Sequence, residues 1–165
     1  MKIVSAILIF TFICLDVVQL WGQENSRPKV STADIDNFWI AYDSINSTAD
    51  RERQLRFINS LYFEKGTAGL RAFIKSGNYT DERYLRVIRD YPLFWRTVRK
   101  NTLAIKEQVP AIEKNLDRLR VLYPELKPAG IYFTVGALRS GGMTVGNMVL
   151  IGSEIASADT GTNAS

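Results

Sequence analysis

Histidine is absent from this 165-residue chain, and its single cysteine, Cys14, lies in the first segment. Zinc centres are built from thiolates and imidazoles in nearly every arrangement, and a serine or cysteine nucleophile takes an imidazole as its base. The chain therefore carries no recognisable catalytic centre of either kind, and no metal ligand or cofactor site is read from it. Low-complexity, collagen-like and disordered compositions are excluded by 46% hydrophobic and 23% charged residues. At this length one domain with a single core is expected.

Lys2 is followed by a nearly apolar run from Ile3 to Leu15, then Asp16 and Val17-Val18-Gln19-Leu20-Trp21-Gly22. Such a run spans roughly 20 Å as a helix, short of the ~30 Å hydrocarbon core, so residues 1–22 read as a signal peptide cleaved near Gly22. Phe12 and Ile13 before Cys14 argue against lipidation. The expected product is exported, periplasmic or extracellular, with no stable membrane insertion after cleavage. Its one cysteine leaves with the leader, so disulfides are excluded and packing must hold the fold.

Net charge is a mild +4, unchanged by loss of Lys2 and Asp16 with the leader. Arg83, Arg86, Arg89, Arg96, Arg99 and Lys100 concentrate it, and their spacing suits a solvated helix face. No recognition motif accompanies them, so nucleic acid is discounted as a partner.

Residues 23–30 are polar and contain Pro28, which suits an exposed lead-in. From there the pattern is helical. Ser31 with Asp34 resembles a capping pair, and Ile35, Phe38, Trp39, Tyr42 and Ile45 recur along a first helix over about 32–46. A second is expected over 49–64 and a short third from Thr67 to Gly77. A fourth begins at Thr80, with Asp81 and Glu82 in its first turn. Pro92 and Pro110 are each expected at a first helical position, giving separate helices over 92–107 and 110–122.

At Ile131 the period changes. Ile131, Phe133 and Val135 alternate with Tyr132 and Thr134, and Asn147–Ile151 reads as a second strand, so a β-hairpin with a long glycine-rich connection is expected. That connection, Ala137 to Gly146, lacks the Gly-Lys-Ser/Thr ending of a phosphate loop and is read as a turn, with Arg139 as a possible carboxylate anchor. Glu154 and Asp159 are the acids near the hairpin, but nothing in the polar tail 157–165 fixes a glycosidase-like separation between them. Phe38, Trp39, Phe94 and Trp95 are read as core. The sequons at Asn46, Asn78 and Asn163 are taken as chance, because Asn and Thr also belong at helix ends.

The run Tyr123-Pro124-Glu125-Leu126-Lys127-Pro128-Ala129-Gly130-Ile131-Tyr132-Phe133-Thr134-Val135-Gly136, with Arg139-Ser140-Gly141-Gly142 and Asn147–Ala156, resembles secreted bacterial zinc metallopeptidases of the gluzincin-like type. Tyr91-Pro92-Leu93-Phe94-Trp95 and Gly66-Thr67-Ala68-Gly69-Leu70 are similar too, so the likeness spans most of 34–156. In that family such a hairpin precedes a helix bearing His-Glu-x-x-His, whose imidazoles bind zinc. This chain departs from the family there: the ligands and base would lie beyond Ser165, so no catalytic residue carries over. The resemblance implies that Val149, Leu150, Ile151, Gly152 and Glu154 form an edge strand to which a peptide or protein substrate adds.

The expected fold class is α+β: about five or six helices, then a C-terminal β-hairpin, the N-terminal portion of a zincin-like fold. Residues 31–156 form the domain, and the tail 157–165 is where the chain reads as broken off. The expected function is the N-terminal part of an exported zinc-dependent metallopeptidase, inactive by itself, with zinc belonging to a full-length relative. The alternative is an exported non-catalytic binding or interaction module. A hairpin left open in this way is expected to aggregate or to be marginally stable.

Overall fold

The computed structural model describes residues 30–163; the leader 1–22, the lead-in up to residue 29 and the last two residues of the tail lie outside them. The fold is α+β and mostly helical, with six helices and one sheet among the described residues. The first helix, α1 (Ala33–Asn46), buries Ile35, Phe38, Trp39, Ala41, Tyr42 and Ile45 on one side. α2 (Arg51–Ile58) starts at Asp50, whose carboxylate accepts the Glu52 and Arg53 N–H groups, and runs on into a π-helical turn, Asn59–Phe63. α3 (Ala68–Gly77) is capped by Thr67 and closes on Asn78 in the left-handed region at φ 49°. α4 (Asp81–Asp90) is capped by Thr80. In each case a side-chain oxygen answers an amide that the first turn leaves unpaired.

The expected Ser31/Asp34 cap does not form, and Thr32 at the start of α1 makes no side-chain cap hydrogen bond. Asp34 turns inward instead. Its carboxylate accepts the Thr67 N–H at 2.9 Å and the Thr67 hydroxyl at 2.5 Å, and is 1% exposed. One buried acid thus ties α1 to the start of α3. Burial raises its pKa above the ordinary value, against the opposing pull of the two Thr67 hydrogen bonds.

The two helices expected after Pro92 are one, α5 (Pro92–Leu122), with Pro110 inside it. Pro92 does sit at the first position, where its missing N–H costs nothing. Pro110 removes one hydrogen bond in the middle, but the apolar positions Ile105, Val109, Ile112 and Leu116 keep the same phase through it. The helix continues because the stripe on either side belongs to one face.

The strands are β1 (Val30–Ser31), β2 (Gly130–Thr134), β3 (Gly142–Val145) and β4 (Met148–Gly152), in the order β1-β2-β4-β3. β2 pairs in parallel with both β1 and β4, with Gly130 opposite Met148 and Thr134 opposite Gly152. The two strands read from the sequence are therefore neighbours but not a hairpin. The glycine-rich connection is itself a strand: β3 pairs antiparallel with β4 through the turn Val145-Gly146-Asn147-Met148. Gly146 at φ +57° supplies the first central residue of that two-residue turn. Period-two patterning marks which residues are strand and says nothing of direction, so β2 and β4 read equally well either way.

A cluster of rings joins helices to sheet. Phe38 lies 5.1 Å from Trp39, 5.4 Å from Tyr62 and 5.1 Å from Trp95, centroid to centroid. The indole N–H groups are satisfied, Trp39 by the Thr102 hydroxyl at 2.9 Å and Trp95 by the Val87 carbonyl at 2.9 Å. The core expectation for Phe38, Trp39 and Trp95 holds, while Phe94 is half-buried. α3 meets the sheet at Gly69, where an added Cβ would lie 2.1 Å from Cγ of Tyr132. Gly69→Val should therefore cost about 2 kcal/mol or more through overpacking, and urea unfolding of the variant beside the parent checks this; an unchanged midpoint would show that the helix shifts freely on the sheet.

Candidate functional site

Parallel strands β2 and β4 end side by side at Thr134 and Gly152, and open sheets of this kind place their clefts at the carboxyl ends of the strands. The chain leaves β2 through Val135–Gly141, while β4 turns directly into the short helix α6 (Ser153–Ala156). Irregular backbone at such a place must have its polar groups answered by side chains. Tyr62 Oη donates to the Val135 carbonyl at 2.6 Å and accepts the Val135 N–H at 2.9 Å, and Tyr84 Oη donates to the same carbonyl at 2.8 Å. Glu154 accepts the Gly136 N–H at 2.8 Å and the Leu138 N–H at 3.3 Å. Arg83 donates to the Ala137 carbonyl at 3.2 Å. Leu138 takes a left-handed conformation, φ 53°, in completing the bend.

Glu154 is fully buried in α6 and is not a strand residue. Burial pushes its carboxyl from the usual 4.5 up to about 7, against the amide hydrogen bonds that favour the charged form. Around it the Tyr79 and Ser153 hydroxyls are buried without a hydrogen-bond partner. Asp159 does not face it as a second carboxylate: it is exposed and accepts from Gly161 N–H at 2.9 Å and the Thr162 hydroxyl at 3.2 Å within its own turn. Arg139, read as a carboxylate anchor, instead donates to the Gly77 carbonyl at 2.7 Å and fastens the 135–141 segment to the end of α3.

The expected substrate edge is corrected. β4, with Val149, Leu150, Ile151 and Gly152, lies between β2 and β3, so both its sides are already paired. An apolar strand of this kind is buried because neighbours flank it, and Leu150 has no exposure. Among the described residues the outer strands of the sheet are β1 and β3, and β3 is the longer of the two. Gly152 N–H donates to the Gly141 carbonyl at 3.0 Å. By the alternation of antiparallel pairs, Met143 and Val145 then also face β4, while Gly142 and Thr144 turn their peptide groups outward. Ser140 Oγ covers both outward groups of Gly142, at 3.2 Å to N and 3.0 Å to O, which leaves those of Thr144 uncovered by it. The two-residue Gly146-Asn147 turn between Val145 and Met148 was the sequence signal for this strand.

Zinc, which the resemblance implies, does not fit the residues present. The chain has no histidine, and among the described residues no group of three or more His, Cys, Asp or Glu comes together. The one buried carboxyl at the strand ends already has both oxygens engaged by backbone amides.

The basic stripe is dispersed by the fold. Arg83 serves the Ala137 carbonyl, Arg89 pairs with Asp90, and Arg99 grips Asp43 with two hydrogen bonds of 2.6 and 2.8 Å while lying 4.8 Å over the Trp39 ring. Arg86, Arg96 and Lys100 stand exposed. No helix among the described residues is long and apolar enough to cross a membrane.

No known protein family, characterised protein or solved structure matches this chain. Gly69 abuts Tyr132, and Gly136 abuts Glu154.

Because the folded-state pKa of Glu154 lies above its unfolded value, the folded protein keeps this proton between pH 4.5 and 7 while the unfolded chain releases it. Stability should thus fall as pH rises across that window, by on the order of 3 kcal/mol from this group. Asp34, also raised, adds in the same direction. Thermal melts of the parent and Glu154→Gln from pH 4.5 to 8 check this, and equal slopes in both would rule Glu154 out as the source.

Proposed function

We propose that this chain is the N-terminal, non-catalytic part of an exported zinc-dependent metallopeptidase, and that its contribution is to bind an extended peptide along β3. The observation that carries the reading is the open side of β3, where Thr144 turns its N–H and C=O away from β4. A peptide strand added there gains main-chain hydrogen bonds, with alternate side chains setting preference. Ser140 Oγ acts as an internal cap on Gly142, so a bound peptide displaces it to pair with a second outward residue.

The peptidase part of the reading rests on the resemblance of residues 66–70, 91–95, 123–136, 139–142 and 147–156. Hydrolysis would require ligands supplied by sequence other than residues 30–163. A second reading, an exported non-catalytic binding module, is favoured by the pairing of β4 on both sides, which leaves no half-built hairpin. Both readings share the β3 site. They part on whether the gene supplies His-Glu-x-x-His after residue 165: a longer product that cleaves casein, and stops when a chelator is added, supports the peptidase.

Thr144→Pro removes an N–H that faces away from β4 and should abolish binding to an array of unstructured decapeptides with little change in melting temperature. Ser140→Ala should strengthen the same binding several-fold. Peptide binding that survives Thr144→Pro would place the site elsewhere. Export is checked separately by intact mass after production in a secreting host, where the product should begin at Gln23; a retained leader would count against it.

A further inference from the structure

Arg51, Arg89 and Arg99 each meet an acid, Glu82, Asp90 and Asp43 in turn. Arg83 and Arg139 form no ion pair with a described residue, yet both are held in place. Arg83 gives its Nε–H to the Ala137 carbonyl at 3.2 Å, and Arg139 gives an Nη1–H to the Gly77 carbonyl at 2.7 Å. A guanidinium carries five N–H groups, so Arg83 keeps both terminal nitrogens for another partner and Arg139 keeps Nε and Nη2. Ala137 lies two residues before Arg139, and Gly77 two residues before Tyr79. The pair thus brackets one corner between the segment after β2 and the turn after α3.

Tyr79 stands at this corner. Its N–H donates to the Ile74 carbonyl at 3.0 Å, its ring stacks on Phe73 at 5.2 Å, and a Cβ added to Gly77 would lie 2.1 Å from that ring. The backbone, the stacking and the close approach of Gly77 together fix the phenol. The residue is 5% exposed, and its hydroxyl is buried with no hydrogen-bond partner. A buried donor left unanswered is costly and marks a place where an ion or a water belongs. Burial raises the phenol pKa and Glu154 adds to this, while the charges of Arg139 and Arg83 pull it down. A neutral hydroxyl therefore stands within reach of two unpaired cations. Glu154, the acid whose charge reaches this phenol, has both oxygens turned to the Gly136 and Leu138 amides, so it does not supply the missing partner.

We propose that Tyr79 Oη, Arg83 and Arg139 form a binding site for a small oxyanion, a carboxylate or phosphate group, beside the carboxyl ends of β2 and β4. The hydroxyl donates one hydrogen bond, and the free N–H groups of the two guanidiniums donate charge-assisted ones, whose planar fork matches either group. Anchoring each arginine on a carbonyl orients it without neutralising it, which an acid partner would do. Arg83 is half-buried and Arg139 exposed, so the anion enters from the side of Arg139. This site is separate from the β3 edge and does not depend on peptide binding there.

Thermal melts of the full chain at pH 6, below the Glu154 pKa of about 7, test this. They compare about 50 mM sodium phosphate or sodium acetate with sodium chloride at equal ionic strength. Phosphate, acetate or both should raise the parent's melting temperature by a few degrees, as a ligand of the folded state does. Arg83→Gln and Arg139→Gln should each cut that rise by half or more. Tyr79→Phe separates binding from folding, because the hydroxyl it removes has no partner within the chain: it should melt in chloride at or above the parent's temperature while losing most of the rise. Arg96→Gln, which removes an exposed cation elsewhere, should keep the full rise. A rise with phosphate alone assigns the site to a phosphate-bearing ligand, and one with acetate alone to a carboxylate. No rise with either anion, or an equal rise in the parent and all three site variants, would overturn the inference and leave the hydroxyl to a water.

Discussion

The peptide group of Val135 is the joint on which the arrangement rests. Its carbonyl takes hydroxyl protons from both Tyr62 and Tyr84, and its N–H returns to Tyr62. A phenol has one donor and spare acceptor capacity, so Tyr62 closes a two-bond clasp on a single residue. Both rings are fully buried, and burial drives their hydroxyls well above the ordinary phenol pKa, which keeps them neutral donors. Without this clasp the end of β2 would leave an unpaired peptide group inside the core, at a cost of about 1–3 kcal/mol for each unmet partner.

From that joint the rest of the strand-end region follows. With Val135 fixed, Gly136 and Leu138 present their amides to Glu154, and Ala137 turns its carbonyl to Arg83. The segment then delivers Gly141 to the carbonyl–amide contact with Gly152 that sets the register of β3 on β4. The outward side of Thr144 is thus a distant result of two tyrosines on different helices, and the sheet edge is placed by aromatic packing as much as by strand pairing. Arg139 belongs to the same scaffold, since its bond to Gly77 ties the loop to α3.

The helical half of the fold was legible because its signals are local. Thr67 and Thr80 cap where they were expected to, and Asn78 ends α3 in a conformation that asparagine tolerates, whereas Asp50 as the cap of α2 was missed. What was not legible depends on partners distant in the chain. Asp34 looked like a cap and became a tie between helices, because Thr67 arrives from 33 residues away. Pro110 looked like a helix start because proline there is usual, while the unbroken phase of the apolar stripe argued for continuity. Strand direction is absent from a period of two, so β4 was read as an open edge when it is an inner strand. Glu154 stood out in the sequence only as an acid near strands; its burial and its two amide donors exist only once β2 and β4 lie side by side.

Stability is also divided unevenly along the chain, and this bears on which surfaces can respond to a partner. The segment after β2 is irregular yet answered residue by residue, so opening it breaks several bonds at once. The far half of α5 is regular, with Ile105 and Ile112 against the core and Val121 and Leu122 exposed at its tip, and Pro110 removes one bond from its ladder. The tip of α5 exposes apolar side chains, while the strand-end region has its backbone groups answered within the chain. Regular secondary structure and internal hydrogen bonding by side chains are here separated: the irregular segment after β2 is the one whose backbone groups side chains answer.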